Sequence, residues 1–113
     1  MDQYNPEGSP VRLARKSAPD RLQCVFQGEI DEAALREAAQ RVRDALTSQN
    51  APGAVELDLR ASRTRYAFSD LIVAAEQVLA AVRPGRIALI GEPGHTDTHL
   101  MVLETVTFPH GTR

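Results

Sequence analysis

From Val55 to Arg60 apolar and charged side chains alternate without a break, Val55, Leu57 and Leu59 against Glu56, Asp58 and Arg60. Successive side chains on a strand point to opposite faces, so this segment is a strand with one apolar and one charged face. A strand covered by helices on both sides would be apolar throughout. Leu22, Cys24 and Phe26 alternate with Gln23, Val25 and Gln27 in the same way. The expectation is a sheet with helices mainly on one face and the other face open.

The helices announce themselves by spacing. Asp31 is a good N-cap, because its carboxylate can accept the unpaired amide hydrogens of a first turn. After it, Leu35, Ala38, Ala39, Val42, Ala45 and Leu46 fall on one helical stripe. Glu32 with Arg36 and Glu37 with Arg41 form i,i+4 pairs in the favourable order. A second stripe, Leu71, Ala75, Val78, Leu79 and Val82, follows Ser69 and stops at Arg83-Pro84-Gly85. Ile87 to Ile90 is a short buried strand between glycines, 96–104 a third, shorter helix, and Val106 with Phe108 a last strand. Before all of these, Val11 and Leu13 mark a short edge strand, and the turn 17–20 sends the chain back antiparallel. Gly28 is expected to close the second strand, and 61–68 to be a loop. The order is therefore β-β-α-β-α-β-α-β, an α/β fold with a mixed, mainly parallel sheet.

The chain has 113 residues, 42% of them apolar and 25% charged, with net charge −2. That supports a single domain over residues 11–113 behind a flexible N-terminus, 1–10, and excludes a disordered, collagenous or cysteine-stapled chain. The near-neutral charge argues against a general nucleic-acid binder. The N-terminal segment has no cationic-then-apolar signal pattern, and no apolar run approaches the roughly 18 residues of a membrane span. A cytoplasmic protein without membrane contact is expected. The lone cysteine, Cys24, reads as a small buried core residue in a reducing compartment.

Three clusters could carry chemistry. Ser69 reads as a helix cap or, since phosphate would meet the positive end of a helix dipole, as a phosphoacceptor. Arg60, Arg63 and Arg65 follow the carboxyl end of the central strand, where ligands gather in open α/β sheets, and form either an anion- or partner-binding loop or a solvated one. His95 and His99 stand four apart on the expected third helix, with Asp97 and Glu104 near in sequence. A helix can bring such a pair to one metal, but the glutamate that catalytic zinc helices place beside the first histidine is here Thr96, so the run reads as an ordinary helix start. Walker, dinucleotide-binding, nucleophile-elbow and Cys-x-x-Cys motifs are absent from the sequence. No catalytic residue, cofactor or metal is assigned.

Gly28-Glu29-Ile30-Asp31 resembles the Gly-x-Ile/Leu-Asp entry to the first helix of the STAS domain, the family of sulfate transporters and anti-sigma-factor antagonists. The strand 55–59, the helix from Ser69 to Val82 and the Gly85–Gly91 strand are similar to that family in order and spacing, over residues 21–108. The resemblance implies a right-handed βα superhelix and a bacterial regulatory or protein-interaction domain. In anti-sigma antagonists a serine directly follows an aspartate at the turn before the second helix; here Ser69-Asp70 has the reverse order. The family also closes with a helix after the last strand, which is expected to be lacking here or supplied by another subunit. A divergent lipid-transfer-like branch is equally similar. The resulting expectation is a STAS-like interaction module, dimeric through its open sheet face or an edge. The alternative is a carrier of a small apolar or anionic ligand, held in space left by Ala38, Ala39, Ala74 and Ala75.

Overall fold

The computed structural model describes residues 8–82, 86–91, 99 and 101. Its elements are β1 (Val11–Lys16), β2 (Arg21–Asp31), α1 (Glu32–Leu46), β3 (Val55–Arg65), α2 (Phe68–Leu79) and β4 (Ile87–Ile90). The strands form one mixed sheet in the order β1-β2-β3-β4, with β1 antiparallel to β2 and the other pairs parallel. The expected third helix and last strand lie outside the described residues, apart from His99 and Met101, which are helical.

Alternation decides which face of the sheet is buried. Val11, Leu13, Leu22, Cys24, Phe26, Ile30, Val55 and Leu59 turn to one side and are buried there against Leu35, Ala38, Ala39, Val42, Ala45 and Leu46 of α1 and Ala74 of α2. Asp31 caps α1 as expected, its Oδ1 accepting from the Ala34 N–H at 2.8 Å. Both i,i+4 pairs form, Arg36 to Glu32 at 3.2 Å on the solvent side of α1 and Arg41 to Glu37 at 3.5 Å, with the largely buried Arg41 also donating to Ser9 Oγ and the Val11 carbonyl. Arg15 grips both carboxylate oxygens of Asp20 at the hairpin turn and donates to the Asn50 carbonyl, while Asp20 accepts from the Gly53 N–H at 3.1 Å. The β1–β2 turn is thereby tied to the loop that leads from α1 into β3.

Besides the end of α2, which stops at Leu79 short of the expected Val82, three boundaries differ from expectation. β2 does not end at Gly28 but continues to Asp31, with Gly28 in the left-handed region at φ +75° inside the strand. β3 runs on to Arg65, so Arg60, Arg63 and Arg65 belong to a strand and not to a loop. Both extensions have one cause: Gln27–Asp31 and Ala61–Arg65 pair with each other. Finally, α2 begins at Phe68 with Ala67 as its cap residue, so Ser69 is not the cap. Asp70, third in the helix, accepts from the Ala67 N–H at 2.9 Å and supplies the side-chain half of the cap from inside the first turn.

A Cβ built on Gly28 meets no atom within 4 Å, so any cost of a side chain there is purely conformational. Gly28→Ala is expected to lower stability by about 1 kcal/mol, and Gly28→Asn by less, because asparagine tolerates the left-handed region. Urea denaturation of the three proteins measures the order; equal stability of the alanine variant and the parent would refute the assigned backbone conformation.

Candidate functional site

The outer face of the sheet can be written as a grid from the strand register. Arg12, Ala14 and Lys16 of β1 stand beside Val25, Gln23 and Arg21 of β2, and Gln23 and Val25 stand beside Glu56 and Asp58 of β3. Beyond them β3 carries one more residue than β2: Val25 pairs with Asp58, but Gln27 pairs with Ala61. The extra residue is a β-bulge, which reverses the inward–outward phase of everything after it. Leu59 is buried on the inner side, Arg60 occupies the bulge, and Ala61, Arg63 and Arg65 join Gln27, Glu29 and Asp31 on the outer face.

Asp58 holds the bulge together. It is 6% exposed. Its Oδ1 accepts from the Arg60 backbone N–H at 3.1 Å and from Arg60 Nε at 3.0 Å, and its Oδ2 accepts from Arg60 Nη2 at 2.8 Å. These bonds, the side-chain ones first, hold the Asp58 carboxyl below the usual carboxylate range and push the Arg60 guanidinium up. Glu56 is the second anchor, accepting from Gln23 Nε2 at 2.7 Å and Arg21 Nε at 3.0 Å. The Gln23 hydrogen bond is the main reason its carboxyl is lowered too. Arg65 donates to Glu29 at 2.9 Å. Every acid of this face is therefore engaged, since Asp31 caps α1. Arg12, Lys16 and Arg63 have no ion-pair or side-chain hydrogen-bond partner among the described residues. The outer face carries net positive charge in a chain whose net charge is −2.

The three arginines singled out in the sequence thus share a strand and a face but not a role. Arg60 is committed to Asp58, Arg65 to Glu29, and Arg63 has no ion-pair or side-chain hydrogen-bond partner among the described residues. Ser69 is exposed in the first turn of α2. His95, Asp97 and Glu104 lie outside the described residues. Among the described residues, no group of three histidine, cysteine, aspartate or glutamate side chains could hold a metal ion. Cys24 is fully buried, and burial pushes its thiol up to about 12, so at neutral pH it is an inert core residue. No described helix is long and apolar enough to cross a membrane.

The inner side holds a cavity of about 70 Å³ between α1, α2 and strands β2 to β4. Ala38, Ala39, Ala74 and Ala75 all line it, as do Leu57, Leu59, Val78 and Leu89. Its polar lining residues are Tyr66 and His99. The Tyr66 hydroxyl and His99 Nε2 are hydrogen-bonded, with the rings edge to face at 5.9 Å and 86°. Burial pushes the Tyr66 phenol above its ordinary value. No local sequence pattern signals this pair: Tyr66 falls in the expected loop 61–68, and His99 reads from its spacing to His95 as half of a metal-ligand pair or part of a helix start. Neither residue is close to the other in sequence.

Comparison of the sequence with known proteins returns no matching family model and no matching curated protein.

The lowered Asp58 carboxyl fixes the sign of a pH effect. A carboxyl whose folded pKa lies below its ordinary 3.8 contributes stability above that value and loses it as pH falls through the folded pKa. Asp58→Asn is expected to cost about 1 kcal/mol at pH 7, a modest figure because Arg60 is largely exposed. The gap between variant and parent should narrow below pH 3.8. Denaturant titrations at neutral and acid pH test this; a gap that widens on acidification would reverse the assignment.

Proposed function

We propose that this chain is a STAS-like protein-interaction module that docks an acidic protein surface on the outer face of its sheet. In this reading the α/β core is the right-handed βα superhelix of that family, in a cytoplasmic regulatory setting. The observation that carries the reading is the charge pattern of the outer face: Arg12, Lys16 and Arg63 without a partner among the described residues, around carboxylates already satisfied within the chain. Paired charges cost little more to cover, because their hydrogen bonds are already made, whereas unpaired cations supply the attraction and steer the approach. A second copy placed on the same face would set cations against cations, so an acidic partner is favoured over self-association there.

The test uses an acidic peptide, poly-glutamate, and the full chain. Backbone amide shifts on titration are expected to map to Arg12, Lys16, Arg63 and their neighbours, with affinity falling steeply as salt rises. The combined variant Arg12→Glu/Lys16→Glu/Arg63→Glu should abolish the binding and fold normally, since exposed unpaired side chains contribute within about 0.5 kcal/mol of stability. Perturbations elsewhere, or tighter binding of duplex DNA than of the peptide, would overturn the reading.

Regulation through Ser69 is the second element of the proposal. The residue is exposed where phosphate would meet the amide end of α2. Phosphate incorporation by serine kinases should disappear in Ser69→Ala; incorporation unchanged by that substitution removes Ser69 as the acceptor.

A further inference from the structure

Resting on the acidic-partner reading above, we infer that the occupant of the outer face is an amphipathic α-helix of about 18 residues, seated along an uncharged diagonal of the sheet. The strand register lays out that diagonal. Ala14 and Gln23 stand side by side, Val25 is the next outward residue of β2, and Gln27 and Ala61 stand side by side beyond it. None of the five is charged, and Gln23 is already bonded to Glu56. The three cations without a partner among the described residues border this track. Lys16 stands at its start, Arg12 flanks Val25 at its middle, and Arg63 stands at its end beside Glu29. All three are exposed.

The spacing of the cations suits a helix. Lys16 to Arg12 along β1, and Val25 to Glu29 along β2, are steps of about 13 Å each. Arg63 is also displaced from Lys16 by two strands, about 10 Å. Lys16 to Arg63 is therefore roughly 28 Å, a length that about 18 helical residues cover. Residues i, i+7 and i+18 of a helix lie within about 20° of one line, so one helix can set three acids against the three cations. An extended peptide laid flat on this face would leave its backbone N–H and C=O groups without partners, whereas a helix satisfies its own. Strands β2, β3 and β4 are parallel, and sheets of parallel strands are normally covered on both faces. The described helices α1 and α2 pack on the inner face. Four strands make an outer face roughly 14 Å wide, which one helix about 10 Å across covers. The short side chains of Ala14, Val25 and Ala61 allow its close approach, and its apolar stripe gains by covering them.

The test titrates the full chain with two peptides of identical composition and charge. One places glutamates at i, i+7 and i+18 and leucines at i+4, i+11 and i+14, all on one side of a helix; the other distributes the same residues around it. The ordered peptide is expected to bind at least about tenfold tighter, to gain helical circular dichroism on binding, and to shift the amides of Ala14, Val25 and Ala61. Val25→Lys adds a cation but obstructs the track. It should weaken the ordered peptide by about tenfold and leave the scrambled one bound at least as tightly as before. Should that variant not fold, Ala61→Lys makes the same test at an exposed position. Equal or weaker binding of the ordered peptide, binding without a gain of helix, or no response to the lysine variant would overturn the helix and leave the acidic-partner reading standing. Binding of neither peptide, or shifts confined to other surfaces, would overturn both.

Discussion

The grip of Asp58 on Arg60 is the contact on which both faces of the sheet depend. It stabilises a bulge that inserts one residue into β3, and a single inserted residue reverses the phase of the strand after it. In strict alternation from Val55, the positions Ala61, Arg63 and Arg65 would follow Leu57 and Leu59 onto the inner face. Two guanidiniums would then be driven into an apolar layer, at a cost no pairing there could offset. With the bulge they emerge on the outer face opposite Gln27, Glu29 and Asp31, and β3 continues as a strand.

The same reversal acts on the inner side. Thr64 pairs with the inward Ile30, Arg65 turns out, and Tyr66, the next residue, lines the cavity beside His99. The charged outer face and the Tyr66–His99 contact on the inner side are therefore set by one backbone irregularity. Asp58 is an acid buried on a sheet, which would be expensive alone; the freed Arg60 amide and the Arg60 side chain satisfy it.

Much of the fold was legible because its signals are periodic. The alternations in β2 and in the first half of β3, the stripe of α1 and the Asp31 cap each follow from a spacing that only one element satisfies. The alanine faces correctly marked where space would be left. The second half of β3 was not legible, since Ala61–Arg65 has no apolar alternation and its strand character comes from its partner, Gln27–Asp31. The α2 cap was misread for a related reason. A hydroxyl before an apolar run points to Ser69, but the capping hydrogen bond comes from Asp70 inside the helix, and Phe68 at its start is 46% exposed and gives no core signal. The Tyr66–His99 contact joins residues far apart in the chain, and no local pattern can announce such a pair.

The charge arithmetic also changes meaning once the strands are placed. A net charge of −2 on the whole chain suggests no preference for an anionic partner. Partitioned by the sheet, the same residues give an outer face with cations in excess and with its acids already committed to partners within the chain. Association is governed by the local field of the contacting surface, screened over roughly 10 Å at ordinary salt, and not by the sum over the molecule. A nearly neutral chain can therefore present a directional electropositive surface, and in this chain it does so because the bulge at Arg60 sends Arg63 and Arg65 outward.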